Sequence, residues 1–157
     1  MEQVAIYDSP IGKILLKAQP SYLTGLFFQE ETPIIENYEK NSDLPIITKT
    51  ILQLDEYFKG IRKNFDIEIN NIGTEFRKKT WKELMNIPYG ETRSYKDLAI
   101  MVGNPKAVRA VGGANHNNNI SIIVPCHRVV GANGKLVGYG GGLWRKEWLL
   151  NHEKKYK

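Results

Sequence analysis

The chain has 157 residues, 41% of them apolar, with a net charge of +5 and one cysteine. That length suits one large or two small globular domains, and no window nears roughly 18 uninterrupted apolar residues, so no membrane-spanning helix is expected. A single thiol excludes an internal disulfide. Three scattered histidines make a poor metal set, and the first ten residues lack the basic and apolar regions of a signal peptide. The expectation is a reduced, cytoplasmic protein without metal or cofactor.

Charge is unevenly spread. Residues 1–72 carry 7 Lys and Arg against 11 Asp and Glu, a net −4, whereas residues 73–157 carry 15 against 6, a net +9. Such asymmetry fits a half that meets a polyanion, or a basic face that is merely solvated.

The first thirty residues read as strands. "QVAIY", "KILLKA" and "LTGLFFQ" are short apolar or alternating runs separated by the turn formers of "DSPIG" and "QPSY", which predicts an antiparallel meander. Residues 31–45 are polar and bounded by prolines, and read mostly as loop. Ile47, Ile51, Leu54, Phe58 and Ile61 then recur at spacings of four and three, the face of a helix whose end Gly60 weakens. "NFDIEI" reads as one more strand. "NNIG" follows where the charge changes sign, which places a domain boundary near residues 70–73.

The second half reads mostly as helix. Thr74 is a candidate N-cap for a helix with Phe76, Thr80, Trp81 and Leu84 on one side, stopped by "NIPYGE". Ser94, with Asp97 three residues on, begins a second helix that should end at Gly103. Asn104 as N-cap and Pro105 at the first helical position predict a third, running to about Asn115. Helices joined by one glycine turn make a helix-turn-helix candidate. The third helix combines Ala107, Ala110, Gly112, Gly113 and Ala114 with one long cation, Arg109. Base-edge readout would need polar side chains, of which it has few. Small residues could instead let the backbone approach DNA closely while Arg109 enters the base stack. The alternative is helix packing through the alanines with Arg109 solvated. "ISIIV" then reads as a strand, "VVGANGKLVGYGGGL" as a hairpin and glycine-rich loop, and a last amphipathic helix begins near Trp144, with Trp148, Leu149 and His152 along one side.

Cys126 sits between Pro125 and His127. A lone cysteine can be a small buried hydrophobe, and the preceding "IIVP" suits that. A neighbouring imidazole, directly or through a water, can instead take the thiol proton, which at a pKa of ~8.5 is otherwise mostly retained at neutral pH. Adjacent strand residues point to opposite faces, so the pair can cooperate only in a turn or at a helix start, which Pro125 makes plausible.

"PCHRVV" resembles the active-site motif of the O6-alkylguanine-DNA alkyltransferases. "GTEFRKKTWKELMNIPYGETRSYKDLA", "GNPKAVRAVGGAN" and "GYGGGLWRKEWLLNHE" resemble further blocks of that family in the same order, covering nearly all of residues 73–153. The first 70 residues resemble it only in a strand-rich plan with one helix.

The resemblance implies an α/β (α+β) fold. Residues 1–72 would form an antiparallel-sheet, RNase H-like domain with a helix. Residues 73–157 would form a mostly helical domain with a winged-helix-like helix-turn-helix. It implies single-turnover repair, in which Cys126 accepts the alkyl group of O6-methylguanine, and of O4-methylthymine, from a flipped nucleotide. His127 would deprotonate Cys126 through a water, Glu153 would hold and polarise His127, and Asn118 would brace the cysteine turn. Tyr95 would approach the base and its phosphate, and Arg109 would fill the vacated stack. Backbone groups of Cys126 and Val129 would read the guanine edge, and Tyr139 with Gly140 would close over it. Ala107, Ala110, Gly112, Gly113 and Arg128 would lie toward the DNA. The partner would be double-stranded DNA, met in the minor groove by a monomer. Asn119 stands where the family commonly has proline, which should loosen the turn, and Gly140 where some members have serine.

A DNA-binding module without chemistry, a transcriptional regulator and a Cys-His thiol hydrolase are the competing readings. A burst that stops at one equivalent separates single-turnover alkyl transfer from the hydrolase.

Overall fold

The computed structural model describes residues 2–29 and 42–157. The loop expected over residues 31–45 falls mostly outside them. Three strands open the chain: β1 (Gln3–Ser9), β2 (Gly12–Gln19) and β3 (Tyr22–Phe28). They form the expected antiparallel meander, in the order β1-β2-β3, with a bulge at Lys17/Ala18. β2 buries Ile14, Leu15, Leu16 and Ala18, so both of its faces are covered. Helix α1 (Pro45–Phe58) packs across the sheet through Ile47, Leu54, Tyr57 and Phe58. Ile61, expected on the same face, lies beyond the helix end and is exposed.

The free edge of β3 is shared between two distant segments. Leu23 exchanges backbone hydrogen bonds with Glu68 and Asn70, and Leu26 with Asn119 and Ser121. Each segment gains only an isolated parallel bridge, at Ile69 and at Ile120. This is why "NFDIEI" and "ISIIV", both expected as strands, are not strands. In the second, the Asn118 side chain takes over hydrogen bonds that a strand partner would make, and the chain turns at Ile122, whose φ is +71°. A β-branched residue in that region is strained, and here the strain sits four residues before Cys126.

The remaining elements are α2 (Glu75–Leu84), β4 (Arg93–Ser94), α3 (Tyr95–Met101), α4 (Val108–His116), β5 (Val129–Val130) and α5 (Leu143–Lys155). Thr74 caps α2 by accepting from the Arg77 amide, and Ser94 and Asp97 form the reciprocal box that starts α3, both as expected. Gly103, at φ +85°, provides the turn toward α4. α4 starts at Val108 and not at Pro105, because residues 104–107 close a tight turn in which the Ala107 amide donates to the Asn104 carbonyl. The region expected as a hairpin is instead β5 paired in parallel with β4, followed by a turn in which the Gly131 amide donates to the Lys135 carbonyl. The Trp81 indole donates to the Ala114 carbonyl and ties α2 to the end of α4. No helix among the described residues is long and apolar enough to cross a membrane.

Candidate active site

Residues 120–130 are almost wholly buried, and Cys126–Arg128 form a single 3-10 turn inside them. Pro125 precedes the turn with a backbone that is neither helix nor strand, so Cys126 and His127 escape the opposed geometry of an extended chain. The turn is braced from three sides. The Asn118 amide donates to the Ile120 and Val124 carbonyls at 3.2 and 2.9 Å, and its oxygen accepts from Ile120 N at 3.1 Å and from Asn71 Nδ2 at 2.8 Å. The Asn115 amide, from α4, donates to the Cys126 carbonyl at 3.3 Å. The Val129 amide donates to the same carbonyl. Asn119 does not leave its loop slack, because its side chain donates to the Ile72 carbonyl at 3.0 Å.

Cys126 is only 5% exposed, yet it is not sealed in the core. It lines a narrow recess with Asn115 and His116 of α4, Asn118, and Gly138, Tyr139 and Gly140 of the loop before α5. That loop is anchored. The Arg145 guanidinium donates to the Ile11 and Gly141 carbonyls, and the Lys146 ammonium to those of Val137 and Gly138 at 2.8 and 3.2 Å. Gly141 has no room for a side chain, since a Cβ there would lie 2.6 Å from the Phe28 ring. The Tyr139 ring meets Phe28 edge-on, 6.2 Å between centroids. Tyr95 begins α3 and donates to the Val137 carbonyl at 3.3 Å, below the same loop.

Behind the thiol lies a dense charged cluster. His127 and Glu153 are fully buried, and Nε2 of the imidazole lies 2.7 Å from Glu153 Oε2. The Arg128 guanidinium holds both carboxylate oxygens, Nε to Oε1 at 2.8 Å and Nη2 to Oε2 at 3.0 Å, and donates its remaining arm to the Ile87 carbonyl at 2.7 Å. The Gly90 amide donates to Oε1 at 3.3 Å and the Tyr57 hydroxyl to Oε2 at 2.6 Å. Burial alone would raise the Glu153 pKa, but the donors from His127 and Arg128 outweigh it and hold the carboxyl well below its usual range. Burial lowers the His127 pKa, with Glu153 opposing and Arg128 and Lys146 adding to it. The lowered pKa favours the neutral imidazole, whose Nε2–H donates to the ionised carboxylate. Its buried Nδ1 receives no hydrogen bond from any described residue, so a lone pair is available there.

The sequence-predicted residues thus divide. Cys126, His127, Glu153 and Asn118 meet in one cluster, with Tyr95, Tyr139 and Gly140 around the recess. Arg109, Ala110 and Gly113 are exposed on α4, with Ala107 and Gly112 half-buried, while its core-facing residues are Val111, Ala114 and Asn115. The alternative of packing through the alanines with a solvated Arg holds for buried Ala114 and exposed Arg109, but not for Ala110. Arg128 departs from expectation, because it is 7% exposed with its guanidinium committed inward, which removes it from a DNA-facing surface. The Val129 amide and the Asn115 side chain both donate to the Cys126 carbonyl, so these groups are already committed inside the turn.

Sequence reasoning missed Tyr57, Asn115 and Lys146. Tyr57 lies three residues after Leu54 on the apolar stripe of α1, a polar tip on a core face. Lys146, Leu149 and Glu153 follow the inward spacing of α5, and a lysine fully buried on that stripe has its pKa lowered to about 8 by burial, with Cys126 opposing.

Two family models match the chain, the ribonuclease-like domain of 6-O-methylguanine DNA methyltransferase over residues 4–70 and its DNA binding domain over residues 75–155. A methylated-DNA–protein-cysteine methyltransferase of Methanosarcina acetivorans is 49% identical over 152 residues, 95% of this chain and 96% of that one. One of Mycobacterium tuberculosis is 49% identical over 147 residues, covering 94% and 89%. The crystal structure of the Mycobacterium tuberculosis O6-methylguanine methyltransferase superposes with a TM-score of 0.90 at 46% identity, over 100% of this chain and 95% of the other. A structure of Mycobacterium tuberculosis OGT in complex with DNA superposes with a TM-score of 0.87 at 48% identity, over 96% and 92%. The chain belongs to the 6-O-methylguanine DNA methyltransferase family.

Proposed function

We propose that the protein repairs DNA by moving the alkyl group of O6-methylguanine, and of O4-methylthymine, onto its own Cys126, once per molecule. The observation that carries this is the His127 ring, locked by Nε2 on an ionised carboxylate and left with a free lone pair at Nδ1, one residue from a thiol that lines an opening. A water at Nδ1 would relay the thiol proton. The S–C bond forms as the O–C bond breaks, and the electron pair stays on oxygen. The base leaves as neutral guanine after taking up a proton, which balances the one lost by the thiol. Tyr95, under the loop, is the donor suited to that oxygen, and its pKa is raised by burial, so it keeps its proton. A thioether is not hydrolysed by water, so the protein is consumed.

The buried methyl must first leave the stack, at a cost of about a few kcal/mol. α3 and α4 would act as a helix-turn-helix in the minor groove of double-stranded DNA. The bare face of Ala107, Ala110 and Gly113 would allow close approach, and Arg109 would occupy the gap. Carbonyls of the Cys126–Val129 turn would meet the guanine edge, and Tyr139 with Gly140 would cover it. Residues 1–72 and 73–157 would be separate structural units of a cytoplasmic monomer.

Incubation with an O6-methylguanine duplex followed by mass spectrometry tests the reading. One CH₂ increment on the Cys126 peptide, saturating at one equivalent, is expected. No increment, or continued turnover, overturns it.

A further inference from the structure

Glu153 is gripped from the other half of the chain. Tyr57 lies on α1, 96 residues away in sequence, and is fully buried. It is held at both ends by consecutive residues of α5. Its carbonyl accepts from His152 Nε2 at 2.7 Å, and its hydroxyl donates to Glu153 Oε2 at 2.6 Å. That oxygen also accepts from His127 and Arg128, so among the described residues three donors share one atom. A carboxylate oxygen has two in-plane lone pairs, and each added donor weakens the pull left for the others. The Phe58, Phe65, Tyr89 and His152 rings around Tyr57 fix where its hydroxyl points.

We infer that Tyr57 is a positioning residue for alkyl transfer. From the N-terminal half it fixes the rotation of the Glu153 carboxylate and limits how strongly that carboxylate draws on His127. The inference rests on the reading of Cys126 and His127 given above. Its consequence is a catalytic relay completed by a residue outside the basic half, so the N-terminal unit sets the basicity of the imidazole. The titratable and charged groups facing the pair are Cys126 and Arg128 on the turn, Tyr57 on α1, Tyr89 before β4, and Lys146 and His152 on α5. Of these, only Tyr57 and Arg128 share Oε2 with His127.

The test is the pH dependence of single-turnover transfer at saturating O6-methylguanine duplex, read by mass on the one cysteine, for the wild type, Tyr57→Phe and Ile47→Val. Loss of the hydroxyl strengthens the pull on the His127 proton and favours imidazolium. The acid limb of the Tyr57→Phe profile should therefore move up by about half to one pH unit, with a ~3–10-fold slower reaction on the acid side of the limb. Ile47→Val removes core packing from the same helix, ten residues before Tyr57, and its limb should not move. Sucrose keeps a weakened variant folded, with folding followed by circular dichroism. An unmoved limb in folded Tyr57→Phe, or an equal move in Ile47→Val, overturns the inference. A wild type that takes no alkyl group overturns the reading of the site and the inference with it.

Discussion

The two faces of the cysteine segment are built by opposite rules. Behind Cys126, Glu153, Arg128, His127 and Tyr57 are buried together, and the carboxylate accepts from five donors, more than its four lone pairs. In front, α4 presents Ala110 and Gly113 to solvent with one long cation beside them, and a Cβ added at Gly113 would touch nothing. The first face fixes charge by saturating it. The second leaves open space at the surface. If the proposed reading holds, chemistry belongs to the first face and recognition to the second, and changes on the two sides should have different signatures.

The largest effect is expected from Glu153→Ala. It leaves the Arg128 guanidinium buried without its partner, and breaking such a pair costs about 3–5 kcal/mol. Urea unfolding should register that loss, and alkyl transfer should cease. The same carboxyl sets an acid limit. Its native pKa is depressed, so its contribution to stability is present above the unfolded value of ~4.3 and is lost as pH falls below it. In Glu153→Ala that acid-dependent part should vanish. A variant with wild-type stability would show that the cluster is not the anchor of this face.

Lys146→Met comes next. It removes the two hydrogen bonds that hold the Val137–Gly138 segment, and a lost bond from a charged donor is worth ~1.5–3 kcal/mol. Proteolysis in the 137–142 loop should accelerate and transfer should slow. In the wild type the ammonium charge itself is lost as pH rises through about 8, so the loop should become more protease-sensitive above that pH. Lys146→Met should lack this dependence, and a loop equally protected at all pH values would count against the tether.

Arg109→Ala addresses the front face. Arg109 is exposed, so stability should change by no more than ~0.5 kcal/mol. Repair of a duplex should fall ~10–100-fold, because the gap left by a flipped nucleotide is no longer filled. Reaction with free O6-alkylguanine base should be unchanged. Equal losses on both substrates would move Arg109 from recognition to chemistry.

These faces were not equally legible in the sequence. The meander, the Thr74 and Ser94 caps and the α1 stripe followed from alternation, capping chemistry and helical spacing, all of which are local. The Cys126–His127 pair could be singled out but not decided, since adjacency says nothing of geometry until Pro125 and Ile122 are seen to bend the chain. Arg128 and Tyr57 were opaque for a different reason. A cation in a basic half reads as solvated until a carboxylate 25 residues on is found against it, and a tyrosine on a core stripe reads as packing. Long-range pairing of buried polar groups has no period. The strand-like "ISIIV" failed because a side chain, Asn118, replaced a ladder, which hydrophobic patterning cannot reveal.

The smallest effect is also the sharpest test of the contrast. Gly113 lies inside α4 with open space where a side chain would project. Alanine in a helix interior is favoured over glycine by about 0.5–1 kcal/mol, so Gly113→Ala should raise the urea midpoint slightly. Gly113→Leu should keep most of that gain, since its Cβ meets no protein atom within 4 Å. If the face is bare because DNA must approach it, duplex affinity should fall from glycine to alanine to leucine although both variants are more stable than the wild type. Transfer from free alkylguanine base should be the same in all three. Rising stability with unchanged duplex affinity would mean that α4 does not meet DNA through this face, and the division between a saturated back and a bare front would lose its functional meaning.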